Sequence, residues 1–208
     1  WLRIADVEFR QVGSIERAVA AYERVLDQNP ADAEALEAIE QTYRAAERWQ
    51  DVLSVYRRRL DLASDPDARD EIQASIATVH EEMLGDPETA VRTWREVLDT
   101  DPANRRALGA LDRLFTRLSR WQDLSDNLQT RLALAESPEE QTAIQLRLAQ
   151  VREERMADTP GAIDIYRQIL ERDVANVDAV NNLERLIEQP EHAQVIADIL
   201  EPVYRELG

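Results

Sequence analysis

The chain has 208 residues, 44% apolar and 32% charged, with five Gly and two Phe, a balance that fits a well-folded helical protein rather than a disordered chain or a sheet. Its 42 acidic residues outnumber 25 basic ones for a formal charge of -17, a field that repels phosphate backbones and anionic lipid and sets nucleic acid and membrane aside as partners. Cysteine is absent, which excludes disulfides, thiolate metal ligands and cysteine nucleophiles.

In chain order, apolar periodicity and breakers predict helices at 2–12, 15–28, 32–46, 49–63, 68–84, 88–100, 104–118, 121–135, 139–156, 160–172, 176–188 and 191–207. Pro30, Pro66, Pro102 and Pro138 each follow one apolar-periodic run and precede the next. Every second helix carries an i, i+4, i+8 stripe: Ala18, Tyr22, Leu26; Val52, Tyr56, Leu60; Ala90, Trp94, Leu98; Leu124, Leu128, Leu132; Ala162, Tyr166, Leu170; Ile196, Leu200, Tyr204. The alternate helices bear a matching set, such as Leu36, Ile39 and Tyr43, or Leu108, Leu111 and Phe115. A lone hairpin would expose both faces, whereas stacked hairpins cover them.

The stripes start alternately 34 and 38 residues apart, and 26 of the 72 positions from Ala18 to Thr89 are identical to those from Ala90 to Gly161. The repeat is read as a pair of hairpins, with copies near 18–89, 90–161 and, decaying, 162–208. The expected fold is all-α, one α-solenoid over 1–208 of about six antiparallel hairpins. Trp1 aligns with mid-helix positions of later copies, so the chain reads as a piece of a longer array.

The sequence resembles a tandem of tetratricopeptide repeats. The resemblance rests on the small residue at Ala18, Ala90 and Ala162, the aromatic at Tyr22, Trp94 and Tyr166, and the proline at Pro30 and Pro102. It implies a right-handed superhelix whose concave groove is lined by the first helix of each hairpin. By that correspondence Arg106, Gly109, Arg113 and Arg117 face the groove, flanked by Glu71, Thr78, Glu81 and Glu82 on one side and by Arg147, Gln150 and Glu154 on the other. Arg106, Arg113 and Arg117 are also seven and four residues apart, which by spacing alone keeps them on one stripe. Gly109 costs a helix about 0.8–1 kcal/mol relative to Ala, which hints at a spatial reason for it. Two roles stay open for these arginines: a seat for an acidic segment, or a ladder to Glu81, Glu82 and Glu154 that sets the stacking.

Trp49 and Trp121 align with the aromatic that packs the hairpin turn and are expected in the core. His80 and His192 lie too far apart, without cysteine, to suggest a metal site. No glycine-rich phosphate loop or nucleophile constellation is present, so no cofactor is expected and the chain reads as non-enzymatic. The expected function is a scaffold for a protein or peptide, with an acidic stretch favoured by the arginines. The alternatives are a structural spacer, a self-assembly module, or the regulatory arm of a larger protein, and homo-oligomerisation stays open. Every cation is an arginine, a usage that points to a GC-rich bacterial source. The cytoplasm is slightly favoured over the periplasm.

Overall fold

The computed structural model describes residues 14–207, and the helix expected at 2–12 lies outside them. Among the described residues there is no strand. The helices are α1 Ile15–Leu26, α2 Ala33–Ala45, α3 Trp49–Leu62, α4 Pro66–Thr78, α5 Pro87–Thr100, α6 Arg105–Arg117, α7 Trp121–Leu134, α8 Pro138–Met156, α9 Thr159–Arg172, α10 Val177–Leu186 and α11 Ala193–Leu207. Backbone packing divides the chain into two compact units, meeting in sequence at Ala107 and Leu108.

Local chemistry explains the helix starts. The side chains of Asp32, Asp65, Asp86, Ser137, Asp158 and Asn176 each accept a hydrogen bond from the amide three residues on, satisfying a donor the helix itself leaves open. Pro66, Pro87 and Pro138 occupy first-turn positions, where a missing N–H costs nothing. Helices α3 and α7 lack such a cap. They follow Glu47 and Ser119, both left-handed at φ 54° and 56°, and the next residues, Arg48 and Arg120, pair with Asp51 and Asp123 at 2.6 Å.

In the first unit, Ala18, Tyr22 and Leu26 of α1 pack with Leu36 and Ile39 of α2 and Val55 of α3. Val52, Leu53 and Tyr56 of α3 then meet Ile72, Ile76 and Val79. In the second unit α8 packs on α7 and α9, and α9 on α10. Leu124 and Leu128 of α7, Ala162, Tyr166 and Leu170 of α9, and Ile196 and Leu200 of α11 are buried. Each fully buried Leu or Ile contributes roughly 1.5–3 kcal/mol over an exposed one. Tyr204 departs from its stripe: its ring is exposed and its hydroxyl donates to Glu184.

The helix expected at 68–84 changes character at its end. Its last turn, Val79–Met83, is a π-turn in which the Leu84 amide returns to the Val79 carbonyl, and His80 is buried there. Gly85 follows at φ 62°, and the Asp86 amide closes on the His80 carbonyl at 2.8 Å. Seventy-two residues on, Ala157 is left-handed at φ 54° and the Asp158 amide closes on Arg152 at 2.8 Å, although α8 remains α-helical to Met156.

Candidate functional site

Helix α6 carries most of the residues expected in the groove, and its start is held from two directions. The Asn104 side-chain oxygen accepts from the Ala107 amide at 3.0 Å while its amide group donates to Asp70 at 2.6 Å. Burial, with Asp101 adding to it, raises the Asp70 carboxyl above its usual range, and the Asn104 hydrogen bond works against that.

In the first unit the structure brings Arg106 to Glu71 at 2.7 Å, both side chains exposed, a pair of the kind that contributes about 0–1 kcal/mol. Its partner is therefore Glu71 and not Glu81 or Glu82. Thr78 donates its hydroxyl to the Ala74 carbonyl at 2.9 Å, and Glu81 sits half-buried in the π-turn. In the second unit Arg113 and Arg117 are exposed on α6. Gly109 meets no close neighbour: a Cβ placed there finds nothing within 4 Å. The crowding that its cost to the helix suggested is absent from the chain's own packing.

Arg147 is exposed but paired within the chain. Its guanidinium lies 2.5 Å from Asp112 and donates to the Thr116 hydroxyl at 3.3 Å, while Arg131 reaches Asp112 from α7 at 2.5 Å. Asp112 is 2% exposed, and two cations offset the cost of burying its charge. Sequence reasoning missed this centre, although a signal existed in the 72-residue register of Glu40, Asp112 and Glu184. Glu40 accepts from Tyr56 at 2.7 Å and Arg59 at 2.6 Å, and Glu184 accepts from Tyr204. Each carboxylate ties the first helix of its hairpin to the second. A further tie runs from α8 to α10, where Arg185 grips Glu153 through two nitrogens at 2.6 and 2.8 Å.

Trp121 corrects the expectation of a core tryptophan. It is half-buried and forms one side of a cleft of about 190 Å³ lined also by Thr116, Leu124, Arg147, Gln150, Val151, Glu154 and Arg155. The Arg155 guanidinium stands 5.2 Å from the Trp121 ring centre, within cation–π range. A first-residue position on α7 puts the ring at the end of the hairpin, where α8 covers only part of it. Trp49 is also half-buried, against Val52, Leu53 and their neighbours.

Stacked pairs of short helices, capped and spaced in this way, define a helical-hairpin repeat protein. Residues 35–70 and 143–173 each match a tetratricopeptide repeat model, and the chain carries tetratricopeptide repeats in those two stretches. Such repeats generally serve as protein-interaction scaffolds and bind proteins or peptides. No curated protein matches the chain. Among solved structures it is similar to MamA, at 14% identity over 83% of this chain and 96% of that one with a TM-score of 0.47. It is similar to YrrB, described as a tetratricopeptide-repeat protein with an unusual peptide-binding site, at 12% identity over 87% and 89% with a TM-score of 0.45. A tetratricopeptide repeat protein from Parabacteroides merdae is 15% identical over 99% of this chain and 78% of that one, with a TM-score of 0.47.

Proposed function

We propose that the chain is a non-enzymatic scaffold that binds an extended or helical polypeptide segment along the first helices of its hairpins. The contact surface would comprise Arg106, Gly109, Arg113 and Arg117 of α6, Arg147 and Gln150 of α8, and Thr78 and Glu81. The observation that carries this reading is α6 itself. It buries Leu108, Leu111, Leu114 and Phe115 while presenting Arg106, Arg113 and Arg117 to solvent, in a chain whose overall charge is -17. Cations displayed on a rigid helix favour an acidic partner, chiefly through association rate and selectivity.

The test is a displayed library of random peptides selected on the native chain and on the triple variant Arg106→Glu, Arg113→Glu, Arg117→Glu. The native chain should enrich Asp- and Glu-containing segments, and the variant should lose that enrichment with its helical circular dichroism intact. Equal enrichment by both discards the assigned surface. A self-assembly role is the second reading, favoured by the exposed Val177, Val195 and Tyr204 of the last hairpin. Light scattering that shows a constant mass over a concentration series removes it.

A further inference from the structure

We infer that the cleft beside Trp121 is the seat for one carboxylate side chain, a Glu or Asp, of the segment bound by the scaffold proposed above. Its size is the first argument. At about 190 Å³ it falls below the roughly 300–1,000 Å³ of small-molecule pockets and suits a single side chain. Leu124 and Val151 are buried at its floor and the Trp121 ring forms a wall, so an aliphatic stem has apolar surface to cover.

Charge is the second argument. Arg155 is exposed and stacks on Trp121, and among the described residues no side chain accepts a hydrogen bond from it. Its planar donors point to a group that can accept them in parallel, which a carboxylate does. Gln150, exposed on the same wall, supplies a neutral donor. Arg131 and Arg147 share the single charge of Asp112, so one positive charge remains behind the cleft. Glu154, also lining it, opposes a second negative charge and thus selects a monoanion over a phosphate dianion.

The internal repeat supplies the third argument. Trp49 occupies the register of Trp121, but Ser75, Thr78 and Met83 stand where the second copy has Arg147, Gln150 and Arg155. Met83 adds an apolar side chain without charge. Both guanidiniums thus belong to the second copy and not to the first.

The probe is N-acetyl-glutamate N-methylamide, titrated into the 15N-labelled chain and followed at the Trp121 and Trp49 indole N–H resonances, with the glutamine analogue as control. Saturable movement of the Trp121 signal, about tenfold weaker with the glutamine analogue and unmatched at Trp49, is the expected result. Arg155→Met, which installs the first copy's residue, should abolish that movement while the thermal unfolding curve stays in place. The proposal is overturned if Trp121 does not respond, if both analogues act alike, if Trp49 moves equally, or if an acetylated phosphoserine amide binds more tightly. The scaffold reading is judged separately by the library selection: loss of all enrichment by the native chain sinks that reading, whatever the titration shows.

Discussion

Gly109→Ala separates what the fold needs from what a guest needs. Gly109 is the fifth residue of α6, and in a helix interior Gly is about 0.8–1 kcal/mol less favourable than Ala. The added Cβ meets nothing within 4 Å, so neither overpacking nor new burial alters that figure. For a chain of 208 residues each kcal/mol moves the melting temperature by about 2–4 °C, and the variant should melt about 2–4 °C above the native chain by far-ultraviolet circular dichroism. A lower melting point would mean that the chain's own atoms abut Gly109 and would refute the reasoning. The same variant also reads function: with a segment selected by the native chain, a methyl at the contact surface should weaken affinity while stability rises. Unchanged affinity would remove Gly109 from the contact surface.

Tyr166 is 0% exposed and its hydroxyl has no hydrogen-bond partner among the described residues; burial, with Glu153 adding to it, drives its pKa above the ordinary tyrosine range. A buried unsatisfied polar group costs about 1–3 kcal/mol, so Tyr166→Phe should raise the urea midpoint, and a fall would show that the hydroxyl is satisfied. His80 supplies a pH dependence. Burial holds its imidazole below the usual range, opposed by Asp86 at 3.8 Å and assisted by Arg57 and Arg92. Because its folded pKa is depressed, the native chain keeps the ring neutral while the unfolded chain protonates. Its contribution is whole above the unfolded value of about 6.5 and is lost as pH falls from there toward the folded value. Melting temperatures between about pH 7.5 and pH 5 should fall more for the native chain than for His80→Gln, and parallel curves would contradict the assignment.

Helix positions were legible because their causes are local. A stripe at i, i+4 and i+8, an Asp or Ser three residues before an open amide, and a proline in the first turn all act within a few residues. The buried face of α6 was readable for the same reason. The site was less so. Arg147 is exposed, as its position in the sequence suggests, but its pairing with Asp112, 35 residues away, was not readable. Trp121 looked like core, yet it closes one wall of a cleft. Even the clue that was present, an acidic residue recurring every 72 positions, named only one partner of each tie.

The amino-acid sequence alone determined the helices, most of each buried stripe and the repeating hairpin, since propensity and periodicity need no knowledge of what lies opposite. Tertiary structure decided which carboxylate an arginine such as Arg106 or Arg147 reaches, and how far each tryptophan is covered. Those outcomes depend on the reach of long side chains across neighbouring helices, where displacements of a few ångströms decide which partner a guanidinium meets.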